Sequence, residues 1–193
     1  MMGAKEAERP FLEKVSEYLL SLPFDLKILQ EAVTDPDLDR SAREMAAGTI
    51  VHTLLPQEGE SPGRYVDDVL FVRAALKRIC AEDSEGVKAF KDRFAEVYGK
   101  LDDDLGTFEE CLGELWPWLT GKLATFPKVV YKGKKPGQYL DDEEASSFLY
   151  EEGLEFQTNY PVNEEQVRNK VRRVETIVEF LTKKRAEESR KKP

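Results

Sequence analysis

The stretch from Ser61 to Cys80, SPGRYVDDVLFVRAALKRIC, constrains the fold more than any other part of the chain. Pro62 suits the first position of a helix after a Ser61 cap, and apolar residues then recur every three or four positions. The recurring residues are Tyr65, Val69, Val72, Leu76 and Ile79. Further apolar side chains between them leave little of the helix polar. Because a helix that is apolar on most sides must be buried, the stretch predicts a central helix surrounded by others.

Length and composition predict one soluble globular protein. The chain has 193 residues, of which 40% are hydrophobic and 35% charged, enough to bury a core and to cover it with charge. No apolar run approaches the roughly 20 residues that span a bilayer, and MMGAKEAERPFLEK lacks the apolar segment of a signal peptide. Cys80 and Cys111 lie in apolar helical contexts, which favours reduced thiols and a cytoplasmic location.

Charge is distributed unevenly along the chain. The formal net charge is -9, but residues 164–193 carry ten Lys or Arg against six Glu, a net of +4, which leaves -13 for residues 1–163. An acidic body argues against broad nucleic-acid binding, because phosphate contacts need clustered cations. The basic tail either folds back on the acidic body or reaches an acidic partner, and the sequence leaves both open.

Local signals divide the rest of the core into helices. Phe11 to Leu22 and Phe24 to Val33 form two amphipathic segments that Pro23 is expected to separate. Ser41 is the predicted cap of a helix over 42–55, with Glu44 completing a capping box. Ser84 caps another helix. The run LDDDLG is expected to end that helix, and the next leads into Trp116-Pro117-Trp118, where the proline either kinks the helix or begins a new one.

The C-terminal part has a different pattern. Residues 128–140 lack a helical period and suggest a small β-hairpin around GKKPG. Asp141 and Asp142 then begin a helix that is expected to stop near Gly153. Asn163, with Gln166 three residues later, caps a last helix whose apolar residues alternate steps of four and three, as in a coiled coil. These residues are Val167, Val171, Val174, Val178 and Leu181. The terminal KKRAEESRKKP is expected to be frayed.

Known catalytic patterns are mostly excluded. His52 is the only histidine, which rules out a two-histidine zinc site and an HExxH helix. The chain has no G-x-G-x-x-G, no G-x-x-x-x-G-K-[ST] and no G-x-S-x-G, so the common nucleotide cradles and the nucleophile elbow are missing. The sequence therefore favours a protein that is not an enzyme.

Asp67 and Asp68, in the first turn of the central helix, and His52, on the preceding helix, form the one constellation that suggests chemistry. In one interpretation the acids bind a hard cation such as Mg²⁺ and His52 acts as a base. Neighbouring helical residues point about 100 degrees apart, however, so both acids rarely bind one ion without further carboxylates. In the favoured interpretation one acid caps the helix, the other pairs with an arginine, and His52 lies at the edge of the core. The candidate arginines are Arg43, Arg64 and Arg73.

Other candidates concern binding. Asp102 to Asp104 resemble the start of a calcium loop but lack its alternating oxygen ligands, so a helix cap is the preferred interpretation. Trp116 and Trp118 are candidate interface anchors or core residues. The seam formed by Val167, Val171, Val174, Val178 and Leu181 either pairs with a partner or a second copy, or docks on the parent bundle, which is favoured because isolated two-heptad coils are marginal.

The central stretch resembles a known family. SAREMAAGTIVHTLLP followed by GRYVDDVLFVRAALKRI is similar to the YkvA-like family of small helical domains of unknown function. On that resemblance 65–68 match the family's Asp-Asp element and 46–55 match its alanine-rich helix. The usual Pro-Ile-Asp-Leu-Ile-Pro-Asp connection is replaced by LLPQEGESPG, so only Pro56 and the spacing match. The resemblance covers residues 41–80 and implies a helical fold with no established activity.

Together these patterns predict an all-α protein, a multi-helix bundle around a buried central helix, with a helical core at 1–125 and an extension at 126–193. The leading hypothesis is a non-catalytic intracellular interaction or scaffold module that associates with a protein partner or itself through its C-terminal helix and needs no cofactor. The alternative is a divalent-metal-dependent hydrolase centred on Asp67, Asp68 and His52. Nucleic-acid binding through the lysines of 128–135 is a weaker option in so acidic a protein.

Overall fold

A computed structural model describes residues 2–56 and 63–191, with side chains for 7–56 and 63–190. Within these residues the chain is helical and contains no sheet, which confirms the all-α prediction. Short 3-10 segments occupy Gly63–Tyr65 and Lys122–Lys128. The helices are α1 Met2–Thr34, α2 Arg40–Leu54, α3 Val66–Ile79, α4 Glu85–Arg93, α5 Ala95–Leu112, α6 Leu115–Gly121, α7 Pro136–Asp141, α8 Glu143–Asn159, α9 Glu164–Lys170 and α10 Val174–Lys191.

Helix α3 is the buried centre of the bundle, as its sequence predicts. Twelve of its residues are buried, and the polar pair Lys77 and Arg78 reaches solvent near its end. Helices α1, α2, α5 and α6 pack around it. The regular helix begins at Val66, after a 3-10 turn, and the predicted cap Ser61 and first-turn Pro62 lie outside the described residues.

Helix α1 continues through Pro23, so the predicted break there is wrong. Proline has no backbone N–H, which leaves the carbonyl of the residue four positions earlier, Leu19, without its helical partner. The hydroxyl of Tyr160 donates a hydrogen bond to that carbonyl at 2.6 Å. Tyr160, the residue just after α8, thus satisfies the group that Pro23 leaves open, and α1 stays one helix.

Among the described residues, the predicted caps Ser84 and Asn163 are confirmed and the predicted cap Ser41 is not. Ser84 accepts a hydrogen bond from the Val87 amide at the start of α4, as predicted. Asn163 and Gln166 form the predicted capping box of α9. Helix α2, however, is capped by Asp39 rather than Ser41, so it begins earlier than expected. Glu44 is therefore not a box partner and pairs with Arg40 instead.

Helix α5 runs through the acidic run LDDDLG, which was expected to end a helix. Asp102 pairs with Lys77 at 2.5 Å, and Asp103 is exposed. Asp104 is fully buried and accepts hydrogen bonds from Lys14 and Tyr18 of α1. The run is therefore neither a cap nor a calcium loop, because cations and a hydroxyl from other helices accommodate two of its acids. A new helix, α6, begins two residues before Pro117.

The hairpin predicted in 128–140 is also wrong. A tight turn pairs Tyr131 with Lys134 in a single bridge, with positive φ at Lys132 and Gly133 (48° and 81°). The chain then enters α7 instead of a second strand. Helix α8 passes the expected stop at Gly153, where the Gln30 side chain lies too close for a Cβ atom.

The last predicted helix is two helices. Helix α9 ends at Lys170 and α10 begins at Val174, so the continuous seam predicted from Asn163 onward is wrong. The terminal run expected to fray is helical as far as Lys191, and residues 192–193 lie outside the described part. Helix α7 packs on α2 and α8, α8 on α1 and α2, α9 on α1, and α10 on α6 and α1. None of the described helices is long and apolar enough to cross a membrane.

Candidate functional site

His52 and Asp68 meet between α2 and α3. The Nδ1 atom of His52 lies 3.2 Å from Oδ1 of Asp68, whose side chain is fully buried. The imidazole stacks on the Phe126 ring, with ring centroids 4.4 Å apart and planes inclined by 18°. The Phe71 ring packs against it in an edge-on arrangement, with a centroid distance of 4.9 Å. Two aromatic rings therefore hold the imidazole against the carboxylate, so its orientation is set by packing as well as by the hydrogen bond.

Asp67 uses a different partner. Its Oδ2 accepts a hydrogen bond from the ammonium of Lys184, which α10 brings from the far end of the chain. Asp67 is 1% exposed, and its Oδ1 is buried with no hydrogen-bond partner among the described residues. The adjacent acids thus diverge, as neighbours on a helix do. One faces α2 and the other faces α10.

Burial dominates the electrostatics of this site. It raises the pKa of Asp68 from 3.8 to about 7; the hydrogen bond from His52 lowers that pKa, and the charge of Asp67 raises it. The pKa of Tyr65 and that of Tyr160 are raised by burial as well, and Asp68 adds to both increases. A carboxyl that titrates near neutrality is typical of functional sites but also occurs in structural ion-pair networks.

A second buried ion pair lies between α1 and α3. Nη2 of Arg73 donates to both carboxylate oxygens of Asp25, at 2.9 and 2.7 Å, and the guanidinium stacks over the Tyr18 ring at 3.5 Å. Both side chains are 2% exposed. Burial raises the pKa of Asp25 to about 6 although Arg73 opposes the increase. This pair joins α1 and α3 inside the core.

The arginines proposed as partners for the acidic pair are engaged elsewhere. Arg43 donates to the Val33 carbonyl at 2.9 Å, and the Arg64 guanidinium lies over the Tyr65 ring. Arg73 binds Asp25. The true partner of Asp67, Lys184, was not singled out by the sequence, although a basic tail folding back on an acidic body was one of the two open interpretations.

The candidate binding residues lie mainly against the protein itself. Trp116 is 8% exposed, and Trp118 is half-buried with the ammonium of Lys122 over its ring at 4.7 Å. Of the valine seam, Val171 and Val178 are partly exposed, and the others are buried against the bundle. The buried members are Val167, Val174 and Leu181.

A metal centre does not emerge from this geometry. Within the described residues, no group of three or more His, Cys, Asp or Glu side chains is placed to hold a metal ion. Asp67 and Asp68 face different directions, and Lys184 already supplies a positive charge to Asp67. In the described structure the cation beside Asp67 is thus a basic side chain.

Comparison with known proteins adds no relative. No family model, curated protein or solved structure matches the chain. The similarity of residues 41–80 to the YkvA-like family therefore stays a prediction.

Proposed function

We propose that this protein is a non-catalytic interaction module whose body binds an amphipathic helix carrying a lysine, and that its own α10 occupies this place in the single chain. The observation that supports the proposal best is the pairing of buried Asp67 with Lys184 of α10. We call the surface beneath α10, formed by α1, α6, Asp67 and Lys122, the acceptor surface. A protein partner or a second copy would supply the helix.

The burial of the acidic pair argues against catalysis at this site. A general base must come within hydrogen-bond reach of the proton that it removes from the substrate. Asp68 is fully buried against His52, and Asp67 is covered by Lys184. The imidazole is 19% exposed and lies between two aromatic rings. These contacts use the three candidate groups to hold α2, α3 and α10 together.

The contacts of α10 support helix binding. Val174, Ile177 and Leu181 are buried, and they recur at three- and four-residue spacing on one face of the helix. Charged contacts frame this stripe, with Lys184 on Asp67 and Glu188 on Lys122 of the 3-10 segment after α6. An apolar stripe with flanking charge pairs is the usual way in which a groove recognises a helix.

A cytoplasmic setting is part of the proposal. Cys80 and Cys111 are both free thiols, which agrees with a reducing compartment. The resemblance to the YkvA-like family is compatible with this role, because it implies a helical fold without an assigned reaction. No cofactor is required by the proposed function.

A peptide-binding measurement tests the acceptor surface. In the full-length Lys184→Glu variant, the introduced carboxylate repels Asp67, so the variant's own α10 should leave the surface. A fluorescent peptide of residues 174–193 with the natural sequence is then expected to bind this variant. The same peptide carrying Lys184→Glu should bind at least about tenfold more weakly, which corresponds to about 1.4 kcal/mol. Fluorescence anisotropy at low salt measures both affinities.

Lys183 provides the matched control. It is adjacent to Lys184 but exposed. A peptide carrying Lys183→Glu therefore has the same net charge as the Lys184→Glu peptide but keeps the salt bridge to Asp67. It is expected to bind nearly as well as the natural peptide. Equal affinity of all three peptides, or no binding of any, would contradict the proposal.

The rival function is a divalent-metal-dependent hydrolase at Asp67, Asp68 and His52. It is favoured by the raised pKa of Asp68 and by the unpartnered Oδ1 of Asp67. We expect Mg²⁺, Mn²⁺, Ca²⁺ and Zn²⁺ to leave the melting temperature of the wild type unchanged. An ion at 100 times its dissociation constant would instead add about 2.7 kcal/mol. If an ion stabilised the wild type but not Asp68→Asn, the hydrolase would replace the interaction module as the better proposal.

A further inference from the structure

The break between α9 and α10 has no local cause in the sequence. Residues 171–173 are Val-Arg-Arg, without the glycine or proline that usually ends a helix. The apolar residues on either side keep the spacing of one continuous helix across the break, from Val167 to Leu181. The sequence of 164–191 therefore encodes a longer helix than the single chain forms.

The junction is loosely held by the body. Arg172 and Arg173 are exposed, and Arg172 donates to the Arg168 carbonyl and the Asn169 side chain, both within α9. One cleft of about 530 Å³ separates the start of α10 from Glu8 and Leu12 of α1. A second cleft of about 480 Å³ lies between α1 and the α9 side of the junction. Straightening of 171–173 would thus break few contacts with α1.

Helix α10 is attached to the body along one narrow face. Apart from Val174, Ile177 and Leu181, its described side chains are exposed or only partly buried. Two salt bridges add to this stripe, Asp67 with Lys184 and Lys122 with Glu188. A terminal helix with so few buried contacts unfolds locally at a lower free-energy cost than the rest of the protein.

We infer that α10 exchanges between two copies of this chain. Residues 171–173 become helical, α9 and α10 join into one helix of 164–191, about 40 Å long, and α10 docks on the acceptor surface of the second copy. Lys184 of each chain then pairs with Asp67 of the other. The inference depends on the proposed function, because the acceptor surface must bind α10 when it arrives from outside the chain.

A second copy is the occupant that fits this surface best. Any α10 that leaves its own body uncovers an apolar stripe and leaves Asp67 without its cation, and both favour binding of a matching helix. The α10 of another opened copy restores the same contacts, so exchange loses none of them. It also adds the helical hydrogen bonds that the break at 171–173 lacks, whereas association costs entropy.

Complementary charge reversal tests the exchange. Asp67→Lys places a lysine opposite Lys184, and Lys184→Asp places an aspartate opposite Asp67, so neither variant can pair within one chain. In a mixture, exchange creates an opposite-charge pair at both acceptor surfaces. We expect each variant alone to stay at the mass of one 22.1 kDa chain and the equimolar mixture to form a heterodimer of twice that mass. Light scattering and native mass spectrometry measure this. A mixture that remains monomeric, with both variants folded, overturns the inference.

Glu17 and Lys100 supply a matched control. They pair at 2.5 Å between α1 and α5, which exchange of α10 does not separate. Glu17→Lys mixed with Lys100→Glu is therefore expected to remain monomeric. A heterodimer in this mixture too would show that charge reversal alone drives association, and the inference would fail.

Arg172 offers a test that avoids a lysine in the core. A proline at position 172 is compatible with the single chain, in which the preceding residue, Val171, is not helical (φ -99°, ψ 81°). It blocks a continuous helix through 171–173. At raised concentration we expect dimers of the wild type and of Arg172→Ala, and their loss in Arg172→Pro. Monomers of all three at every concentration would overturn the exchange. If peptide 174–193 still binds the Lys184→Glu protein, only the exchange fails; if it does not, the proposed function fails too.

Discussion

Replacing Arg73 with Met is expected to lower the free energy of unfolding by about 3 to 5 kcal/mol. The side chain binds both oxygens of Asp25 inside the core and covers the Tyr18 ring. Methionine fills much of the same volume but leaves a buried carboxylate without its cation. The pKa of Asp25 should then rise further, because Arg73 is the main group that lowers it. Urea denaturation at pH 7 measures the loss, and the loss should be smaller at pH 5, where Asp25 is protonated.

The surface pair of Arg40 and Asp141 is the matched control. Arg40 also binds both oxygens of an aspartate, at 2.6 and 2.8 Å, but the two side chains are 57% and 58% exposed. Arg40→Met should therefore cost less than about 1 kcal/mol. Equal losses for Arg40→Met and Arg73→Met would mean that burial does not govern the Arg73 pair.

Removing both members of the buried pair distinguishes the loss of the ion pair from the cost of leaving one charge unpaired in the core. In the double variant Asp25→Leu with Arg73→Met, no uncompensated charge remains in the core. Replacing a buried ion pair by apolar residues is often neutral or stabilising. We therefore expect the double variant to recover most of the stability that Arg73→Met loses. A double variant as unstable as the single one would point to lost packing on Tyr18 instead.

Helices whose signals are local could be predicted from the sequence. The apolar spacing of 66–79 places α3 in the core because little of its surface is polar. Ser84 and Asn163 are predictable as caps from residue type and spacing, since each side chain bonds to an amide only three residues away. In these places the interactions that decide the structure lie within one helical turn.

Predictions failed where a distant partner cancels a local signal. Pro23 does not end α1, because Tyr160 bonds to the carbonyl that the proline leaves open. The run 102–104 does not end α5, because Lys77 and Lys14 compensate two of its acids. A single sequence shows the proline and the acids but not the residues that the fold later brings beside them.

The site shows the same division. His52 and Asp68 could be associated because they lie on consecutive helices joined by a short connection. Lys184 could not be assigned to Asp67, since more than 100 residues separate them and several arginines lie nearer in the chain. The charge split between body and tail was the available signal. This charge difference indicates attraction between the body and the tail, but it does not identify the residues that pair.

The free energy of unfolding is expected to fall as pH rises from the acid range to neutrality. The pKa of Asp25 is raised to about 6 and that of Asp68 to about 7, both from 3.8, so the folded state holds protons that the unfolded state has released. Stability therefore declines by up to about 1.4 kcal/mol per pH unit for each titrating carboxyl. Both groups act between about pH 4 and 6, and Asp68 alone acts up to about pH 7. Urea titrations at pH 4.5 to 8 should show a decline that then levels off.

Asp68→Asn isolates the part due to the candidate site. An amide does not titrate, so this variant should lose the decline between pH 6 and 7 and keep the part that Asp25 contributes at lower pH. Asp103→Asn, on the exposed face of α5, removes the same charge and should leave the slope intact. Asp39 and Asp141 have a lowered pKa, so they act in the opposite sense and only below about pH 4. A wild-type stability that does not fall between pH 5 and 7 would contradict the prediction, because it would mean that neither Asp25 nor Asp68 holds an extra proton in the folded state over this range.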